Sequence, residues 1–120
     1  MKKTVLIVDD SSYSRKVISL ALSKAGYDII GEAESGEAAI DMAIEMNPDI
    51  ITLDNILPDM MGLDILKIIK EENLKAQVIM ISAIGQQSTV ADGLKLGALK
   101  YIVKPFTAND VIDAVQKVPA

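Results

Sequence analysis

Short apolar runs rich in β-branched residues recur along the chain at Val5–Val8, Ile29–Ile30, Ile50–Leu53, Val78–Ile81 and Tyr101–Val103. Between them the apolar positions change period. Ile65, Leu66 and Ile69 share one helical face, as do Ala39, Ile40, Ala43 and Ile44, and as do Val111, Ile112, Val115 and Val118. End signals agree with that reading. Ser35 and Thr107 suit N-caps, Thr107 with Asp110 makes a capping-box pattern, and Gly26 and Gly97 stand where helices should stop. Strands alternating with helices in this way predict a five-stranded parallel sheet flanked by five helices on its two faces.

Strand composition predicts the order. The first, third and fourth runs are almost purely apolar, as strands buried on both faces must be. The second mixes Asp28, Gly31 and Glu32 among its apolar residues, which suits an edge. The fifth runs into Pro105, and proline is tolerated at an edge but not inside a central ladder. The order 2-1-3-4-5 satisfies all of this and is the doubly wound, flavodoxin-like arrangement of an α/β domain.

Composition narrows the chemistry. The 120 residues fit one domain, and half of them are apolar, an ordinary globular mix. There is no His and no Cys, which excludes Ser-His-Asp and Cys-His catalysis, the usual zinc sites and a disulfide framework. A net charge of −5 argues against nonspecific nucleic-acid binding. The start, Met1-Lys2-Lys3 followed by Thr4-Val5-Leu6-Ile7-Val8, imitates a leader, but its apolar run stops at Asp9-Asp10. That is too short for a signal peptide, and no stretch approaches the ~20 apolar residues of a membrane span. A cytoplasmic location is the expectation. Carboxylates, hydroxyls, lysines and a hard metal ion remain as the sources of chemistry.

In open α/β sheets ligands bind beyond the carboxyl ends of the strands, where the strand order switches. Here that point lies between the first and third strands. Asp9 and Asp10 follow the first strand and Asp54 the third; Ser82 ends the fourth and Lys104 the fifth. Two carboxylates ~4 Å apart repel by about 4 kcal/mol at an effective dielectric near 20, so three gathered on one rim need compensation. Lys104 offers one positive charge, and a divalent cation would supply the rest. Only oxygen ligands are available, so the ion should be hard. Mg²⁺ fits best because it takes one or two carboxylates and leaves positions for phosphate oxygens, with Mn²⁺ as a substitute. A carboxylate nucleophile beside such an ion, with an ammonium and a hydroxyl opposite, describes phosphoryl transfer to aspartate.

Val5-Leu6-Ile7-Val8-Asp9-Asp10-Ser11 with Arg15, Leu53-Asp54 with Pro58 and Gly62, Ser82-Ala83, and Tyr101-Ile102-Val103-Lys104-Pro105-Phe106 together form a dispersed motif. On these residues the chain resembles the response-regulator receiver domains, and within them the stand-alone chemotaxis regulators of the CheY type. The likeness runs from residue 3 to the end of the chain, so residues 1–120 are expected to be a single receiver domain. Ser82-Ala83-Ile84-Gly85-Gln86-Gln87 looks closest to members found outside the enteric bacteria.

The resemblance implies specific roles. Asp54 would take a phosphoryl group from a histidine kinase. Asp10, Asp54 and the backbone carbonyl of Ile56 would hold Mg²⁺, with Asp9 positioning a metal-bound water. Lys104 would pair with the phosphoryl oxygens, and its bond to Pro105 is characteristically cis in the family. Ser82 would hydrogen-bond the phosphoryl group, and Tyr101 would be an aromatic switch turning into space that Ser82 vacates. The output face would be the fourth helix, fifth strand and fifth helix. Gly85, Gly93 and Gly97 flank or interrupt that helix, consistent with lower local stability. The family is a phospho-accepting switch rather than an enzyme acting on other substrates. The expected partners are the kinase and an output protein such as a flagellar motor switch component, with no nucleic acid or membrane, and the chain is expected to be a monomer.

Two positions depart from the enteric pattern: Ile56 and Ile84 are apolar where those proteins carry polar residues. Two branched side chains over the site should hinder the hydrolytic water and slow self-dephosphorylation. Other readings compete less well. A receiver working with a transcription effector would have that effector elsewhere, since no basic segment accompanies Val118-Pro119-Ala120. An aspartate-nucleophile phosphatase would want Asp-x-Asp after the first strand, and Asp9-Asp10 is not that. Flavin binding lacks a Ser/Thr-rich phosphate loop, and neither a P-loop nor Gly-x-Gly-x-x-Gly is present.

Overall fold

Five strands, β1 (Thr4–Val8), β2 (Asp28–Ala33), β3 (Ile50–Leu53), β4 (Gln77–Ser82) and β5 (Lys100–Val103), pair in parallel in the order β2-β1-β3-β4-β5. The structure, a computed structural model, describes residues 2–119. Met1 of the leader-like start and Ala120 of the final tripeptide lie outside them. The helices are α1 (Ser12–Lys24), α2 (Gly36–Met46), α3 (Gly62–Glu71), α4 (Gln87–Lys95) and α5 (Ala108–Gln116).

The sheet divides two cores. Val5 and Ile7 of β1, Ile50 of β3 and Ile79 and Ile81 of β4 face Ile18 and Leu22 of α1 and Val111 and Val115 of α5. The alternate residues Leu6, Val8, Ile51, Leu53, Val78 and Met80 face Ile65, Leu66 and Ile69 of α3, with Ala39 and Ala43 of α2. Every residue of β3 is buried, whereas β2 and β5 are mostly half-exposed, as edge strands should be. Each fully buried Leu or Ile contributes about 1.5–3 kcal/mol, so the three central strands hold the sheet together. The apolar run of the apparent leader is therefore a central strand. Among the described residues no helix is long and apolar enough to cross a membrane.

Helix ends follow local chemistry. Ser35 accepts from Ala38 N, Thr107 and Asp110 form the capping box, and Gly26 and Gly97 take φ of 94° and 108° just past α1 and α4. Ile44 is 51 % exposed although it shares the helical face of Ala39 and Ala43. Helix α2 packs over the edge of the sheet, against β2, β1 and α3, so its two alanines approach closely and Ile44 overhangs the margin.

Candidate functional site

Strand register brings the acidic residues together. Val8 pairs with Leu53, so the next residue of each strand, Asp9 and Asp54, emerges at the same level, and Asp54 N donates to Val8 O at 3.0 Å. Carboxylate oxygens of Asp9, Asp10 and Asp54 all lie within 4.8 Å of one another. Asp9 and Asp54 are buried and Asp10 is exposed. Backbone amides hold the two buried groups: Ser11 N donates to Asp9 Oδ1 at 2.9 Å and Ile56 N to Asp54 Oδ1 at 3.1 Å. Arg15, anchored by Glu32, donates from Nη1 to the Asp9 carbonyl at 2.7 Å.

Lys104 arrives from across the sheet. Ser82 pairs with Val103, and Lys104 N donates to Ser82 O at 2.8 Å, which fixes the start of the loop after β5. The Lys104–Pro105 peptide is cis. From there Lys104 Nζ reaches Asp9 Oδ2 at 2.8 Å and Asp54 Oδ2 at 3.0 Å. Burial pushes the Asp9 carboxyl above its usual range, and the Asp54 charge adds to this, against the pull of Lys104 and the Ser11 amide. Burial also penalises the Lys104 ammonium, but its bonds to both aspartates outweigh that and leave its pKa above the ordinary value.

Three carboxylates against one ammonium leave two negative charges uncompensated within the cluster. The donors are all hard oxygens, with no nitrogen or sulfur ligand among them. That set fits a divalent cation such as Mg²⁺ and excludes the sites that soft metals prefer.

Ser82 is fully buried, and its Oγ accepts from Ile84 N at 3.3 Å. Tyr101 donates its hydroxyl to the Ile84 carbonyl at 2.7 Å, and its half-buried ring lies over Gly93, where an added Cβ would stand 3.1 Å away. Burial pushes the Tyr101 hydroxyl above its ordinary value. The loop after β4 thus joins Ser82 to Tyr101 through Ile84. Ile56 is 46 % exposed and bridged to Met61, and Ile84 is half-buried. Beside the cluster opens a groove of about 450 Å³ lined by Tyr13, Ser14, Val17, Lys104, Pro105 and Phe106.

Two residues of the loop between β3 and α3 escaped the sequence reading. Asn55 is fully buried, and its Oδ1 accepts from Leu63 N at 3.0 Å, capping α3, whose N-cap Met61 has no side-chain bond to offer. The missing polar residue at that cap was the available signal. Asp59 accepts from the backbone of α2, more than twenty residues earlier in the chain, and no local pattern announces such a contact.

The sequence profile of the response regulator receiver domain matches residues 5–116. The chain is 42 % identical over 118 residues to the chemotaxis protein CheY of Thermotoga maritima, with 98 % of both chains covered. It is 43 % identical over 117 residues to CheY of Bacillus subtilis, again with 98 % of each. A solved CheX-CheY-BeF3-Mg complex from Borrelia burgdorferi superposes with a TM-score of 0.92 at 40 % identity, covering 97 % of this chain and 88 % of that one.

Proposed function

The chain belongs to the response-regulator receiver family, and on that premise we propose that it is a phosphorylation switch whose Asp54 accepts a phosphoryl group from a histidine kinase. One observation carries this reading. Asp54, 5 % exposed at the end of β3, lies against Lys104 Nζ at 3.0 Å inside a cluster of three carboxylates.

In the proposed step an Asp54 carboxylate oxygen attacks phosphorus, the P–N bond of the donor phosphohistidine breaks, and the imidazole leaves and takes up a proton. Asp10, Asp54 and the Ile56 carbonyl would hold Mg²⁺, with Asp9 orienting a water toward it, and the ion would supply charge neutralisation at the transferred group. Lys104 exchanges its bonds to the aspartates for the phosphoryl oxygens, and Ser82 adds a hydrogen bond. The groove between Tyr13, Val17 and Phe106 gives the donor protein room beside Asp54.

The transferred group brings about −1.5 to −2 charge and three acceptor oxygens. Inverting a 1:99 equilibrium takes about 5.5 kcal/mol of differential interaction, which two or three charge-assisted hydrogen bonds supply. The Ser82–Ile84–Tyr101 connection is the element so biased, and α4, β5 and α5 form the output face. The partner on that face is a flagellar motor switch component, in keeping with the likeness to chemotaxis regulators. Residues 1–120 act as a single receiver domain, as a monomer. Ile56 and Ile84 shield the phosphoryl group from water and lengthen its life.

Incubation with a small phosphodonor should label wild type and leave Asp54→Asn unlabelled; label on the variant would move the acceptor elsewhere. Ile56→Asn and Ile84→Glu should each lose phosphate faster than wild type, and unchanged rates would remove the shielding role. Phosphorylated protein should bind purified motor switch protein more tightly than the unphosphorylated form, and equal binding would redirect the output.

A further inference from the structure

The loop that carries Ile56 is fastened at both ends. At its base, Gly62 N donates to Asn55 O at 2.7 Å, and an added Cβ on Gly62 would stand 2.2 Å from Asp54 O. Helix α3 therefore starts directly on the backbone of the residue that Lys104 holds. Ile56 and Met61 are bridged, so the four positions between them, Leu57 to Met60, form a closed loop. At its tip, Asp59 Oδ1 accepts from Gly36 N at 2.7 Å and Oδ2 from Glu37 N at 3.0 Å.

Those two bonds complete the start of α2. Of the first four amides of the helix, Ala38 N is taken by the Ser35 hydroxyl and Ala39 N by the Ser35 carbonyl. Gly36 and Glu37 have no partner on their own helix, and Asp59 supplies both. The two amides hold the Asp59 carboxyl below its usual range. Met60 closes the contact, since an added Cβ on Gly36 would stand 2.1 Å from Met60 Cγ. The clasp thus fastens the loop tip to a helix that also carries its own side-chain cap, Ser35.

We propose that Asp59 is a positioning residue for the acidic site: by docking the loop tip on α2 it sets where the Ile56 amide and carbonyl stand, and so tunes divalent-cation affinity and phosphoryl uptake at Asp54. This rests on the function proposed above. Residues that orient ligands from outside the coordination sphere commonly change metal affinity by about 10–100-fold. Asp59 acts through three residues of backbone, so a smaller effect is expected.

The test compares two ways of uncapping α2. Asp59→Ala removes the clasp, whereas Ser35→Ala removes a cap from the same helix without touching the loop. Mg²⁺ binding is measured by calorimetry on unphosphorylated protein, alongside thermal melting and labelling by a small phosphodonor across a Mg²⁺ titration. Both variants should melt lower than wild type. Only Asp59→Ala should weaken Mg²⁺ binding, by roughly three- to tenfold, and shift half-maximal labelling to higher Mg²⁺ while preserving most of the rate at saturation. Asp59→Asn, which keeps one acceptor oxygen, should lie between. If Asp59→Ala binds Mg²⁺ as wild type does, or if Ser35→Ala weakens it equally, the positioning role is overturned while the acceptor role of Asp54 stands. Wild type that neither binds Mg²⁺ nor labels overturns both.

Discussion

The two ends of the sheet treat carboxylates in opposite ways. At the amino end Asp49 accepts from Thr4 N at 2.8 Å and Thr4 Oγ1 at 3.1 Å, and pairs with Lys75 at 3.2 Å. The Thr4 amide chiefly, with help from Lys75, holds the Asp49 carboxyl below its usual range. One charge meets donors enough to satisfy it, and the result is a strut between β1 and the start of β3. At the carboxyl end three carboxylates share one ammonium, and burial drives Asp9 the other way. Stability is served by the first arrangement and strained by the second. A cluster that costs the fold something and offers only oxygen donors is prepared for a cation and an anionic group from outside.

Breaking the carboxyl end should have the largest effect. Lys104→Ala leaves buried carboxylates without their cation, and in chelator it should lower unfolding free energy by about 3 kcal/mol in urea titrations. Added Mg²⁺ should recover much of that loss. The variant should still bind Mg²⁺ yet fail to pass phosphorylation on to the output face. Breaking the amino end should cost less. Asp49→Ala loses a charge-assisted amide bond and a partly exposed ion pair, about 1–2 kcal/mol at neutral pH, with Mg²⁺ making no difference.

The Asp49 contribution also has a direction in pH. Its folded pKa lies below the unfolded value, so it is present in full above about pH 4–5 and lost as pH falls through the folded value. The stability difference between wild type and Asp49→Ala should shrink on acidification across that window, followed by urea unfolding at each pH. A smaller effect, of opposite sign, is expected from Asp10→Asn. Removing one of three like charges should raise stability in chelator by about 1 kcal/mol and weaken Mg²⁺ binding. The smallest should come from Thr52→Val. Thr52 Oγ1 is buried beneath the site with no hydrogen-bond partner, so its replacement should be neutral or stabilising by less than about 1 kcal/mol.

Much of the fold was legible in advance because its signals are local. Apolar runs buried on both faces marked β1, β3 and β4 as central, and the polar residues of β2 and the proline after β5 marked the edges. That order alone was enough to bring Asp9, Asp10, Asp54, Ser82 and Lys104 to one rim, since each stands at or within two residues of the carboxyl end of a strand. Helical period put Ile44 on the face of Ala39 and Ala43, but it says which residues share a face, not how far the sheet extends beneath it, and Ile44 is exposed. Asn55 and Asp59 went unnoticed for a related reason. Each caps a helix to which it does not belong, and the pairing exists only once the loop after β3 folds between α2 and α3.

The amino-acid sequence by itself determined the element types, the strand order and the inventory of reactive groups, because hydrophobic period and residue chemistry act over a few positions. The tertiary structure alone decided how those groups balance: Lys104 Nζ against both Asp9 and Asp54, Tyr101 on the Ile84 carbonyl, Asp59 on the start of α2. Charge balance and hydrogen-bond partnership depend on distances between residues remote in the chain, and packing of the two cores sets those distances.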